Sequence, residues 1–292
     1  MSDFLLKLGL PKGSLQESTL GLLKAAGWEF NVSGRSYYPS CNDPEISAML
    51  ARPQEMSRYV ERGVMDCAIT GRDWTEENES DVHVVADLVY AKTSRAPVRW
   101  VLAVPEASPI RSAADLAGKT ISTEVVNLVK RWLARQGVEA RVDFSHGATE
   151  VKVPHLADAI VDVTETGSSL KANQLRIVDT VAESVTVVVA NHAAWADAAK
   201  QAKISALALM LRGALEAKEK VLLKLNARQA NLGPILERLP ALHAPTVNRL
   251  SDPDWAAVET IMETRLTRTL IPELKGLGAE GIIVLSLNKI IP

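Results

Sequence analysis

Apolar runs that stop at a glycine or proline and hand over to a helix start recur along this chain. That recurrence constrains the fold more than any other feature. Phe4–Leu10 is one such run, followed by Pro11-Lys12-Gly13-Ser14. Ser14-Leu-Gln-Glu17 has the spacing of a capping box. A helix should follow, with Leu15, Leu22, Leu23 and Ala26 on one face and its stop at Gly27. Ile46–Ala51 is a second run, and Pro53 falls in a helix's first turn, where a missing N–H costs nothing. Asp66–Thr70 is a third, ending at Gly71. Repeated strand–helix units build a parallel sheet with helices on its faces. Ligands of such sheets lie beyond the carboxyl ends of the strands, so Lys12, Arg52 and Gly71 are expected to share a cleft.

The pattern loosens near Tyr90–Pro97 and restarts with Trp100–Val104, Lys119–Thr123, Ala140–Phe144 and Ala157–Val163. Val185–Ala190 reads as a return to the first group of strands, and Trp195–Ala217 as one long helix. The expectation is α/β and bilobal, with lobe I formed by 1–93 and 183–217 and lobe II by 94–182. From about 219 the order changes. Val221–Leu225, Leu232–Leu239, Thr246–Leu250, Ala256–Met262, Leu266–Leu277 and Ile282–Leu287 spell β-α-β-β-α-β, a C-terminal ferredoxin-like α+β domain over 218–292.

Composition excludes several classes of function. Thirty-three basic and 35 acidic residues leave a net charge of −2, so no global field attracts nucleic acid. Anionic ligands must be drawn by local clusters. The N-terminus lacks a basic region followed by a long apolar run, and no stretch approaches the roughly 18 apolar residues of a membrane span. A cytoplasmic protein is expected. Cys41 and Cys67 stand alone, without metal or redox spacing. The histidines at 83, 146, 155, 192 and 243 form no HExxH pair, and no GxSxG elbow supports a hydrolase.

The segment Ala157–Leu170 carries the most chemistry. An apolar strand with Asp158 and Asp162 runs into Thr166-Gly167-Ser168-Ser169, and Leu170-Lys171-Ala172-Asn173 can continue as a helix. A Gly-centred turn at a helix start aims backbone N–H groups at one spot, with hydroxyls around it, and this suits a phosphate. A carboxylate four residues earlier can accept hydrogen bonds from sugar hydroxyls. Together they suit a sugar phosphate.

Glu150-Val-Lys-Val-Pro154, Leu156-Ala-Asp-Ala-Ile-Val-Asp162 and Thr166-Gly-Ser-Ser-Leu-Lys-Ala-Asn173 resemble the phosphoribosyl-pyrophosphate signature of the ATP phosphoribosyltransferases. Gly9–Ser14, Asp43–Ile46, Arg52–Met56 and Ile69–Asp73 resemble further segments of that family, in its order. The segment Pro154-His155-Leu156 is tighter than in many members. The resemblance implies a bilobal core like that of type II periplasmic binding proteins and a C-terminal regulatory domain. It implies ATP and phosphoribosyl pyrophosphate as substrates, Mg²⁺ carried mainly by substrate oxygens, histidine as inhibitor and a homo-hexamer. Asp162 would hold the ribose, assisted by Glu150 or Asp158. Thr166, Gly167, Ser168 and Ser169 would bind the 5′-phosphate.

Lys12, Arg35 and Arg52 are the candidate cations for pyrophosphate and triphosphate. Each can equally be a solvated side chain. Arg52 precedes a helix-starting proline, which suits a bidentate fork on phosphate. Thr70, Gly71 and Asp73 repeat the strand–Gly-turn arrangement and would face the phosphate turn; Asp73 can instead cap the next helix. Two other readings stay open: a small-molecule binding or sensor protein of the same bilobal fold, and a phosphoribosyltransferase with another acceptor.

Overall fold

The computed structural model describes residues 5–34, 36–91, 95–240 and 244–291. Its contacts divide the chain into two compact units. The first takes in most of the chain up to Ala208; the second begins at Leu209 and includes Ala25–Gly27.

The first unit starts with β1 (Leu6–Pro11), α1 (Gln16–Ala26), the short pair β2 (Phe30–Asn31) and β3 (Ser40–Cys41), β4 (Ile46–Ala51), α2 (Pro53–Glu61), β5 (Cys67–Gly71), α3 (Arg72–Glu77) and β6 (His83–Leu88). Next come β7 (Val98–Pro105), β8 (Thr120–Thr123), α4 (Val126–Gln136), β9 (Arg141–Phe144), β10 (Ala159–Thr164), α5 (Ser168–Ala172) and β11 (Leu175–Ser184). The chain then returns through β12 (Thr186–Ala190), α6 (His192–Ala196) and α7 (Ala198–Ala217), whose residues from Leu209 on count with the second unit.

Two five-stranded sheets result, ordered β4-β1-β5-β12-β6 and β11-β7-β10-β8-β9. The chain crosses from one to the other after β6 and back after β11, so this is the expected bilobal, periplasmic-binding-protein-like core. In the first sheet β4, β1 and β5 run parallel, with Pro11 registered on Ala51. In the second, β10, β8 and β9 run parallel, with Val161 on Thr123 and Thr123 on Phe144. The carboxyl ends of each parallel set therefore share one sheet edge.

Burial on both faces explains why these strands are apolar runs rather than alternations. Trp100, Leu102 and Val104 of β7 join Leu128, Val129, Trp132 and Leu133 of α4 in one core. Val101 and Ala103 point the other way, to Ile160, Leu170 and Leu175.

Two local expectations need correction. The helix after β1 begins at Gln16, whose N–H bonds to the Gly13 carbonyl at 3.1 Å. Among the described residues no capping-box bond joins Ser14 to Glu17. The helix expected over Trp195–Ala217 is two helices. Asp197 breaks the run: its carboxylate accepts from the N–H groups of Ala199 and Lys200, an N-cap for α7.

The second unit contains β13 (Lys220–Arg228), α8 (Gln229–Arg238), β14 (Thr246–Arg249), β15 (Trp255–Glu263), α9 (Thr267–Gly276) and β16 (Glu280–Ser286). The sheet order β14-β15-β13-β16 is that of the expected ferredoxin-like module. Alternate residues Val221, Leu223, Leu225 and Ala227 turn one face of β13 onto Ile235, Leu270 and Leu274. One covered face explains the alternation here.

Candidate active site

Asp162 lies on β10, three residues beyond the strand's start, and accepts the N–H of Val163 at 2.8 Å. Beyond β10 the chain enters the turn. Gly167 stands at φ +79°, in the left-handed region, as the residue before α5. Its N–H donates to Thr164 Oγ1 at 2.7 Å, and the Thr166 hydroxyl donates to Ser168 Oγ at 3.0 Å. Lys171 N–H makes the first bond back, to the Gly167 carbonyl. The N–H groups of Ser169 and Leu170 precede that bond and are orphans of the helix start. A phosphate suits such a place.

Glu150 comes from a short 3₁₀ turn, Thr149–Lys152, and accepts a hydrogen bond from the Ser169 hydroxyl. The tighter Pro154-His155-Leu156 segment therefore still brings Glu150 to the turn. Burial pushes the Asp162 carboxyl up to about 6; the charges of Glu150 and Glu124 add to this, while the Val163 N–H and Lys152 oppose it.

Asp158 is not brought to this edge. It precedes β10, where it accepts the Thr120 N–H at 2.9 Å and pairs with Lys119 at 3.3 Å. Those hydrogen bonds, the Thr120 N–H first, hold its carboxyl below the usual range. Six strand residues, roughly 20 Å, separate it from the turn. Four residues of extended chain, roughly 13 Å, separate it from Asp162, and its bonds to Thr120 and Lys119 hold its carboxylate there, so the structure does not place it to assist Asp162.

On the first sheet, Lys12 follows β1 and Arg52 follows β4, side by side at the carboxyl edge. Lys12 Nζ lies 3.8 Å from the ring centroid of Tyr37. Arg52 is exposed in extended conformation before Pro53. Arg35 lies outside the described residues. Thr70 is fully buried, and its hydroxyl donates to the Pro53 carbonyl at 3.2 Å, so it serves packing rather than the cleft.

Asp73 neither caps α3 nor offers its charge to solvent. Its carboxylate accepts Trp100 Nε1 at 2.7 Å and its own neighbour's N–H, that of Trp74, at 3.0 Å. Its backbone N–H donates to Ser184 Oγ. Burial raises its pKa. It is thus a polar tie between the two lobes of this unit. Gly71 is needed beside it because a Cβ there would stand 2.1 Å from Asp73 Oδ1.

A cleft of about 410 Å³ opens between these edges, lined by Lys12, Arg52, Gln54, Gly71, Asp73, Trp100, Glu124 and Val163–Glu165 among others. Its size is within the usual range for small-molecule sites. Sequence reasoning missed Gln54, Trp100 and Glu124. For Glu124 a signal existed: it directly follows a strand whose parallel neighbour carries Asp162.

A two-lobed α/β core, with a Gly-centred turn beyond one sheet's carboxyl edge and Lys12 and Arg52 beyond the other's, frames a cleft suited to an anionic small molecule. The comparisons with known proteins are more specific. Residues 52–213 match the model of the family described as ATP phosphoribosyltransferase, and 217–289 that of its C-terminal domain. The ATP phosphoribosyltransferase of Chlorobaculum parvum is 57% identical over 290 residues, 99% of each chain. That of Solibacter usitatus is 55% identical over 98% of this chain and 99% of its own. A solved ATP phosphoribosyl transferase (HisG:HisZ) complex from Thermotoga maritima aligns with TM-score 0.60 and 29% identity, covering 71% of this chain and 96% of that one. This chain belongs to the ATP phosphoribosyltransferase family. It is an enzyme, a phosphoribosyl-transferring glycosyltransferase.

Proposed function

We propose that this enzyme joins N1 of the adenine of ATP to C1′ of phosphoribosyl pyrophosphate, releasing pyrophosphate, as the first step of histidine biosynthesis. The end of β10 carries this reading: a carboxylate on the strand, then a Gly-centred turn with free N–H groups and hydroxyls. The turn Thr166–Ser169 takes the 5′-phosphate. Asp162 takes the ribose hydroxyls, with Glu150 beside it. Lys12 and Arg52, and Arg35 from the sequence, neutralise pyrophosphate and triphosphate.

Adenine N1 is unprotonated at neutral pH, so no strong base is needed. Catalysis rests on positioning and on stabilising the charge that develops on the leaving group. Mg²⁺ enters on substrate phosphate oxygens, where it neutralises pyrophosphate. Histidine inhibits through the C-terminal domain, and the working assembly is a hexamer in the cytoplasm. No described helix is long and apolar enough to cross a membrane.

The test is direct. Pure protein with ATP, phosphoribosyl pyrophosphate and Mg²⁺ should yield pyrophosphate and an adduct heavier than ATP by one phosphoribosyl group, read by mass. Consumption of neither substrate would overturn the assignment.

A further inference from the structure

Two polar groups in the cleft have no task in the account above. Glu124 directly follows β8. The last registered pair between β8 and β10 is Thr123 with Val161, so Glu124 stands one strand over from Asp162, and neighbouring strands are about 4.8 Å apart. Among the described residues no lysine or arginine pairs with it. Gln54 comes from the other lobe, in the first turn of α2, its backbone carbonyl accepting from Asn78 Nδ2 at 2.8 Å. Gln54 Nε2 donates to Glu124 Oε2 at 3.4 Å, a long bond. Gln54 Oε1 is buried with no hydrogen-bond partner among the described residues. Both side chains line the cleft. A buried acceptor without a donor and an anion without a cation ask for the same ligand: a group with two N–H donors that becomes positive.

Resting on the proposed reaction, we propose that Glu124 and Gln54 grip the exocyclic amino group of adenine from opposite lobes. Glu124 is then a catalytic residue that stabilises the charge forming on the base. As the N1 lone pair makes the bond to C1′, the bond from C1′ to the pyrophosphate oxygen breaks, and its electron pair leaves with pyrophosphate. Adenine loses no proton, so it gains one positive charge, shared along N1–C6–N6 as an amidinium. Both N6 hydrogens become stronger donors. One goes to the Glu124 carboxylate and the other to Gln54 Oε1. The attraction of Glu124 is weak for neutral adenine and grows as the bond forms, so it favours the transition state over the ground state. Glu124 is not a base here, because N1 carries no proton to remove.

The experiment compares wild type, Glu124→Gln and Gln54→Leu with ATP and with purine riboside 5′-triphosphate, which keeps N1 and lacks the amino group. Binding of phosphoribosyl pyrophosphate is measured separately. Glu124→Gln should lower kcat with ATP by about 10²-fold, the scale of losing one group aimed at developing charge. Phosphoribosyl-pyrophosphate affinity should be unchanged. The wild-type preference for ATP over the analogue should collapse in Glu124→Gln and shrink in Gln54→Leu. The intrinsic difference between the two bases cancels in that comparison. An undiminished preference, or a wild-type kcat in Glu124→Gln, overturns the inference while leaving the reaction intact. So does a loss that excess Mg²⁺ restores, since Glu124 would then serve the metal. A parallel fall in phosphoribosyl-pyrophosphate affinity also overturns it, by assigning Glu124 to the ribose. No product with wild type removes the reaction itself and this inference with it.

Discussion

Asp162 is held between two opposed demands. Burial, then the charges of Glu150 and Glu124, push its carboxyl up to about 6, while the Val163 N–H and Lys152 pull it down. The folded protein therefore favours the neutral form. That contribution to stability is fully present below about 4, near the ordinary value of 3.8, and is lost as pH rises through about 6. Activity runs the other way, because accepting ribose hydroxyls requires the carboxylate. The rate with phosphoribosyl pyrophosphate should fall below pH 6. Glu150→Gln should move that limb to lower pH by removing a like charge, which a pH–rate profile reads. Asp162→Asn should cut turnover by roughly 10². Gly167→Val forces a β-branched residue to φ +79°, so it should abolish phosphoribosyl-pyrophosphate binding, measured by calorimetry, while the circular dichroism of the fold persists. Arg52→Lys keeps the charge and loses the fork, and should cost roughly tenfold in kcat/KM. Wild-type kinetics would make Arg52 an ordinary surface residue.

At the scale of elements, α3 and α4 are joined by a carboxylate. Glu77, 8% exposed, accepts the N–H groups of Asn127 at 3.1 Å and Leu128 at 2.9 Å, the orphan donors that open α4. Arg131 adds bonds to Glu79 and to the Glu76 carbonyl. Glu77→Ala should destabilise the protein by about 2 kcal/mol, the cost of a lost cap plus stranded donors, seen as a lower denaturant midpoint. The strands were legible in the sequence because apolar runs ended at glycine or proline. So was the Gly-centred turn before α5, whose residues are contiguous. Other features were illegible for a shared reason: they depend on partners distant in the chain. Asp73 looked like a cleft acid until Trp100 and Ser184 closed on it. Asp158 was expected to assist Asp162, but it precedes β10 and is tied to Thr120 and Lys119, while Asp162 lies within the strand toward its carboxyl end. Gln54 sits inside the quoted Arg52–Met56 segment and Glu124 just past a strand, but only register and burial show that the two meet. The break between α6 and α7 was a local signal, Asp197, hidden by the helix propensity of the alanines around it.

The whole molecule poses the question of what the C-terminal domain adds. The aligned Thermotoga chain is covered over 96% of its length by 71% of this chain, so a related protein matches without the remainder. Every proposed site residue here lies before 175. The second unit has its own core and an edge strand, β16, on which Ile283, Val284 and Leu285 are 42–51% exposed. Such an edge invites pairing with another chain, and burial in an assembly would protect it. These features support the reading that the domain serves regulation and the hexamer. Full-length enzyme should be inhibited by millimolar histidine, and histidine should weaken substrate binding by a coupling of about 1–3 kcal/mol. A chain ending at Ala217, checked for cooperative unfolding, should turn over yet lose that response. Equal inhibition of the truncated chain would move the effector site into the catalytic core. A full-length enzyme indifferent to histidine would leave the domain with assembly alone, and removing it should then change the sedimentation coefficient without changing kcat.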